Sequence, residues 1–332
     1  MAERFLVVRL GSMGDVVHTL PAAHALRESF PRARIDWVVE SRWRALLKGN
    51  PDLNHVILFD RSSWKGIRAT IAELRRAHYT CAIDFQGLYK SALLMFFSRS
   101  QQRVGFSRSH ARESGAAMFY SLPIIPKQGH VVEQNMSLAY AVGAKFTSAV
   151  FPLKVPLEAN ARVEQVLEGR GLKDYYVLNP GGGWAGKCWP AEQYGHLHRR
   201  LMQKYRWRGV VNYGPGERKL AEAVRLVAGE PEPVLVSLEI PELMALLKRA
   251  KFVVSGDTGP LHLAAALTTP VVGLYGPTDP ARNGPYTITD VVVRNAGDEE
   301  TTYKRTDKPA RSMLSITLDQ VVSAIERRLG IA

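Results

Sequence analysis

Three stretches of the chain carry side chains suited to work on a phosphate or a hydroxyl. In Phe252 to Pro280, FVVSGDTGPLHLAAALTTPVVGLYGPTDP, a short apolar strand ends in small polar residues. Apolar residues at helical spacing follow, and a second apolar run opens at Pro270. Asp257 or Thr258 stands where an N-cap belongs, and Gly259 and Pro260 suit a tight entry into the first turn. The free N–H groups and dipole of such a helix end favour a phosphate just outside it. A capped helix after a strand also occurs in α/β domains that bind nothing there. The second stretch, NPGGGWAGKCWP, combines glycines that let backbone N–H groups approach an anion with Lys187, a point charge suited to a diphosphate. In the third, LGSMGD, Gly11 and Gly14 leave backbone exposed at a strand end, and Asp15 sits at a helix start, where a carboxylate also serves as a plain cap. This is not the GxGxxG dinucleotide fingerprint.

These loops need strands and helices to hold them. From Arg4 the pattern alternates: FLVVRL, a helix over about Asp15–Ser29, IDWVV, a short helix, HVILF, a helix around Ile67–Ala77, and CAIDF. A basic segment near Gln101–Gly129 reads as irregular, and a helix over about His130–Val142 follows. Extended FPLKVP (Phe151–Pro156) reads as a linker. Alternation restarts at Tyr175 with YYVLN, a helix over Ala191–Tyr205, GVVNYG, a helix from Glu217, PVLVS and a helix from Pro241. Short apolar runs separated by helices predict parallel sheets covered on both faces, which bind ligands at the carboxyl ends of their strands. A final amphipathic helix is expected over Thr317–Leu329.

A chain of 332 residues has room for two domains, and 46% apolar with 23% charged residues is ordinary for a globular protein. No apolar run approaches the roughly 20 residues needed to cross a bilayer. The opening MAERFLVVRL has no small-residue cleavage site, so a cytoplasmic location is expected. Cys81 and Cys188 lie too far apart in sequence to suggest a metal pair or a disulfide framework. The net charge of +13 calls for an acidic partner. Cations cluster at Arg99, Arg103, Arg108 and Arg112, and again at Lys304, Arg305, Lys308 and Arg311; a merely solvated surface would look the same. Without zinc-ligand spacing or an RNA-binding aromatic signature, no nucleic-acid partner is expected.

SGDTGPLHLAAAL with VVGLYGPTDP, together with RLGSMGDVVHTLPAAHAL, IDFQGLYKSALL and NPGGGWAGKCWP, resembles family 9 glycosyltransferases, the bacterial lipopolysaccharide heptosyltransferases, and most nearly the heptosyltransferase I type. The resemblance implies an α/β fold of GT-B architecture, two Rossmann-like parallel-sheet domains facing across a cleft. Residues 1–153 would bind acceptor and 154–316 the nucleotide sugar, and the helix in 317–332 would pack back on the first domain. It implies an inverting, metal-independent transfer of heptose from ADP-heptose to the Kdo inner core. The ADP-sugar acts as substrate, no cofactor is needed, and the enzyme associates peripherally with the inner face of the cytoplasmic membrane.

By the same resemblance Asp15 is the general base, Lys187 assists the leaving diphosphate, and Gly182, Gly183, Lys187, Glu217, Asp257, Thr258, Gly259 and His262 hold the donor. Glu217 would take the ribose; at a helix start it is also simply a favourable charge. Ser12, Gly14, Asp84, Gln86, Lys90, Arg103, Arg108, Arg112 and His130 would face an acceptor bearing carboxylates or phosphates, which arginine meets bidentately. The chain departs from relatives at Gly182 and Gly183, where some carry hydroxyl residues, and in NAGDEETTYKRTDKPARSM, where many carry cysteines. An ADP- or UDP-sugar transferase for another envelope acceptor is the first alternative. An NAD(P)-dependent oxidoreductase or epimerase is opposed by the missing fingerprint, and a non-catalytic lipid- or nucleic-acid-binding module would leave both phosphate loops unexplained.

Overall fold

The apolar runs of the N-terminal half form strands β1 (Arg4–Val8), β2 (Arg34–Glu40), β3 (His55–Phe59), β4 (Cys81–Asp84), β5 (Gln102–Phe106) and β6 (Leu122–Ile124). Those of the C-terminal half form β7 (Tyr175–Asn179), β8 (Arg208–Asn212), β9 (Val234–Val236), β10 (Val253–Gly256), β11 (Val271–Tyr275) and β12 (Val291–Arg294). This computed structural model describes residues 3–145 and 148–331, so Met1 and Ala2 of the MAERFLVVRL segment lie outside the described residues, as does Ala332. The chain divides into two units, Met1–Lys154 and Val155–Ala332.

Each unit is a six-stranded sheet in which the pairings are parallel. The orders are β3-β2-β1-β4-β5-β6 and β12-β11-β10-β7-β8-β9. Both are the doubly wound order, which reverses beside the first strand of the unit. A crevice therefore opens outside the carboxyl ends of β1 and β4, and another outside those of β7 and β10. Register brings the chemistry to these ends: Val8 pairs with Asp84 across β1 and β4, and Asn179 with Ser255 across β7 and β10. The expected pair of Rossmann-like parallel-sheet domains is what forms.

Strands covered on both faces are mostly apolar, and the central ones here are. Leu6, Val8, Val38 and Ile57 pack with Leu74 and Met95 in the first unit, and Tyr176, Leu178, Val254 and Val272 with Leu197 and Ile325 in the second. Trp189, fully buried, donates its indole N–H to the Ile316 carbonyl at 3.0 Å and meets Tyr194 edge-on.

Three local readings change, and a fourth is extended. The segment over Gln101–Gly129 contains β5 and β6 and is not wholly irregular. Gln102 and Arg103 start β5 half in solvent, and Pro123 interrupts β6 at the sheet edge, where a missing N–H is tolerated, so neither strand shows an apolar run. The first helix is two, Met13–Val17 and Leu20–Ser29, broken where the Thr19 hydroxyl donates to the Asp15 carbonyl and Pro21 restarts the chain. The division between the two units falls within FPLKVP, the expected linker, which leads directly into a further helix, Leu157–Glu168. The C-terminal helix, Leu318–Leu329, spends its apolar face at home, with Val321, Val322, Ala324 and Ile325 in the core of the second unit and Arg328 paired with Asp290 at 2.7 Å.

Candidate functional site

Asp15 stands in the first turn of the helix that follows β1. Its Oδ1 meets the Arg9 guanidinium at 2.5 Å, and Oδ2 accepts from the Ser12 N–H at 3.0 Å and the Ser12 hydroxyl at 3.2 Å, with Arg112 3.6 Å away. Arg9 is almost fully buried and donates its other amino group to the Phe85 carbonyl beyond β4. Burial alone would raise the Asp15 carboxyl; the two arginines and the Ser12 N–H outweigh it and hold the group well below the usual carboxylate range. Burial lowers Arg9 in turn, and Asp15 opposes that.

Asp84 lies at the neighbouring strand end but is used up internally. Its oxygens accept from the N–H groups of Gln86 and Gly87 and from the hydroxyls of Ser91 and Tyr120, each at 2.8 to 3.2 Å. It is fully buried, whereas the Asp15 side chain is 16% exposed. Of these two carboxylates, only Asp15 can meet an incoming hydroxyl. Asp84 fixes the loop after β4, and Gln86 ties that loop to the one after β1 by accepting the Leu10 N–H at 2.8 Å.

Of the other residues assigned to an acceptor, Ser12, Gly14 and Arg112 stay with Asp15, and Lys90, His130 and Arg103 are held by other partners. Ser12 and Gly14 belong to the Asp15 turn. Lys90 pairs with Glu40 at 3.1 Å, at the end of β2. His130 caps the helix Val131–Ala141 and meets His18 edge-on at 5.4 Å, and His18 closes the Asp15 helix. Arg108 and Arg112 lie exposed in the loop after β5. Arg103 is not with them: it sits at the start of β5, its guanidinium bonded to the carbonyls of Phe119 and Ser100.

In the second unit, Asn179 closes β7. Its amide donates to Ser255 and accepts from Asn212, locking together the ends of β7, β8 and β10. The loop that follows carries Lys187 to Asp257, with Nζ 2.5 Å from Oδ2, while His262 Nε2 lies 3.1 Å from Oδ1. Burial would raise Asp257; His262 and Lys187 outweigh it and keep the carboxyl well below the usual range. Thr258 is the N-cap of the helix Gly259–Ala266 and shares its hydroxyl with Ser255 at 2.9 Å. The first N–H groups of that helix have no intrahelical partner and stand ready for an anion. Glu217 caps the helix Arg218–Ala228 and accepts the Gly214 N–H at 2.7 Å; a side chain at Gly181 would overlap its carboxylate. Glu217, Lys187, Asp257, Thr258, Gly259 and His262 therefore gather at one strand edge.

The glycines of the loop are not equivalent. A methyl at Gly182 would come within 2.8 Å of Cys188 Sγ, whereas one at Gly183 would meet nothing within 4 Å. Gly256 is mandatory, because a methyl there would stand 2.7 Å from the Lys187 carbonyl. Gly256→Ala should cost about 1–3 kcal/mol of stability by moving the Lys187 backbone. Gly183→Ala should not, and thermal melts compare the two.

Sequence reasoning passed over Arg9, whose signal was an arginine within an otherwise apolar run, just past the end of β1: a charge there is buried and must be paired. For the basic run near Lys304 the sequence leaves an acidic partner and a solvated surface both open, and the structure adds where the run lies. That segment lies against the Lys187 loop, with Ala310 donating to the Gly186 carbonyl at 3.4 Å and Thr306 close beside Gly186, so exposed Lys304, Arg305 and Lys308 add positive charge near it.

Comparison with known proteins places the sequence and the fold in a family. The family model for glycosyltransferase family 9 (heptosyltransferase) matches residues 67–312. Lipopolysaccharide heptosyltransferase 1 of Pseudomonas aeruginosa is 32% identical over 298 residues, 85% of this chain and 81% of that protein. The structure of E. coli heptosyltransferase WaaC with ADP superposes with a TM-score of 0.75 at 28% identity, covering 99% of both chains. A family 9 glycosyltransferase from Veillonella parvula, 21% identical, has a TM-score of 0.88 over 100% of this chain and 98% of that one, and bears on the fold alone.

Proposed function

Because the chain belongs to glycosyltransferase family 9 and has the GT-B type of α/β fold, we propose that it moves a heptose from ADP-heptose to the Kdo inner core of lipopolysaccharide. The transfer inverts the anomeric centre and uses no metal ion. One observation carries this reading: each unit presents one kind of chemistry at its strand-order reversal. The first offers a solvent-reaching carboxylate, Asp15, and the second a lysine beside an open helix N-terminus. The E. coli relative solved with ADP supports the nucleotide.

In this reaction the acceptor hydroxyl oxygen attacks the anomeric carbon, the bond from that carbon to the diphosphate breaks, and the hydroxyl proton passes to Asp15. Asp15 is a weak base, because Arg9 and Arg112 stabilise its anion. Proton transfer therefore trails bond formation, when the attacking oxygen turns strongly acidic. Lys187 and the N–H groups at Gly259 stabilise the charge that builds on the departing diphosphate. Glu217 receives the ribose. Arg108 and Arg112 meet the acidic groups of the acceptor, and the enzyme works at the inner face of the cytoplasmic membrane. Among the described residues no helix is long and apolar enough to cross a membrane. Gly182 and Gly183, which offer no hydroxyl to a phosphate, favour a second reading, an ADP- or UDP-sugar transferase for a different envelope acceptor.

A direct test mixes the full chain with ADP-heptose and a Kdo-bearing acceptor, following ADP release and the anomeric configuration of the product by NMR. Acceptor-dependent ADP release, inversion and full activity in EDTA are expected. ADP-heptose should also raise the melting temperature more than UDP-sugars do. Release that ignores the acceptor, or a strict metal requirement, would overturn the reading.

A further inference from the structure

The helix Tyr89–Phe97, YKSALLMFF, is apolar nearly all round, a composition that normally means burial on every side. Only one side is buried. Ser91, Ala92, Leu94 and Met95 face the core, whereas Tyr89, Leu93, Phe96 and Phe97 are 37% to 46% exposed. Their spacing of four, three and one residues places them on one face. The turn Ser114–Phe119 extends this face: Tyr89 lies against Gly115, the Phe96 and Phe119 rings meet at 5.7 Å, and Met118 stands 77% exposed. A contiguous apolar surface of this kind marks an interaction site.

Its surroundings are cationic. Between Tyr89 and Gly129 the chain has six lysines and arginines and one acid, Glu113, which is engaged with the Tyr89 N–H at 2.5 Å. Arg75 bonds the Phe97 carbonyl at 3.0 Å and lies over the Phe97 ring, Arg103 lies over Phe96, and exposed Arg99 follows the helix end. Apolar side chains ringed by arginines suit a surface that offers hydrocarbon below and negative charge above. The face is also built into the Asp15 end of the unit. The Ser91 hydroxyl of the helix donates to Asp84, the Glu113 backbone N–H donates to the Gly87 carbonyl, and Arg112 reaches Asp15.

We propose that the face formed by Tyr89, Leu93, Phe96, Phe97 and Met118 docks on an anionic phospholipid bilayer. The proposal deepens the reading of a membrane-borne acceptor and rests on it. Docked in this way, the enzyme draws an acylated acceptor from the lipid surface on which it sits.

The test is sedimentation of the full chain with vesicles of phosphatidylethanolamine and phosphatidylglycerol, against vesicles of phosphatidylcholine alone, without donor or acceptor. Binding to the anionic vesicles, weakened by salt, is expected. Leu93→Ser with Phe96→Ser and Met118→Ser should lower it about tenfold or more. Met118→Glu with Arg99→Glu, two exposed positions that sacrifice no packing, should lower it as well. Both variants should keep wild-type turnover on a water-soluble, deacylated acceptor. Equal binding by wild type and variants, or none by wild type, overturns the proposal. So does a wild-type dimer in sedimentation velocity that the variants lose, which would make the face a contact between copies. Vesicle binding that persists when no heptose transfer is found would sink the functional reading and leave the docking face standing.

Discussion

Asp15→Asn should lower turnover about a thousandfold or more if Asp15 is the base we propose, since the amide keeps its shape and cannot take the proton. It should also destabilise the fold, because Arg9 is buried and loses its carboxylate; leaving one member of such a pair alone costs about 3–5 kcal/mol. Arg9→Met combined with Asp15→Asn should recover much of the stability and none of the activity. That split separates the chemical role of Asp15 from its structural one. Near-normal turnover in Asp15→Asn would remove it from the mechanism. Arg9→Met alone leaves Asp15 buried with one fewer cation, so its carboxyl rises. The acid limb of the kcat/KM profile should then move to higher pH, which a merely structural role for Arg9 would not produce.

The pH dependence of stability follows the same pair. The folded-state pKa of Asp15 is depressed, so its contribution to stability is present above the unfolded value of about 4 and is lost as pH falls through the folded one. In Asp15→Asn this part of the acid limb should be missing from a series of melts below about pH 4.

Lys187→Ala should reduce turnover by about a hundredfold to a thousandfold and weaken ADP and ADP-heptose binding together, as read by calorimetric titration and initial rates. The size of the effect follows from what the ammonium holds. It is the cation on Asp257 Oδ2 and the one lysine of the glycine loop, so its loss strips charge from the phosphates and leaves Asp257 to His262 alone. Lys187→Ala with Asp257→Asn should restore stability and not affinity. Unchanged ADP affinity in Lys187→Ala would place the phosphates elsewhere.

Much of this architecture is legible before any coordinates. Strands such as FLVVRL and YYVLN are apolar runs because both faces of a parallel sheet are covered, and the loops after β1, β7 and β10 announce themselves by small residues at the strand ends. What escaped the eye depends on partners distant in sequence. Arg9 has meaning only through Phe85 and Asp15. Asp84 reads as a site carboxylate until four donors from its own unit are found on it. Arg103 reads as one of a basic cluster, although the start of β5 and the carbonyls of Ser100 and Phe119 hold it away from Arg108 and Arg112. β5 and β6 were hidden because strands toward a sheet edge need only a few apolar residues.

The unequal crowding around Gly182 and Gly183 bears on how this loop can change. A serine or threonine at 183 enters open space, while the same residue at 182 forces the Cys188 side chain to shift. A hydroxyl therefore comes at less structural cost at 183 than at 182, where its fit is coupled to the side chain at 188.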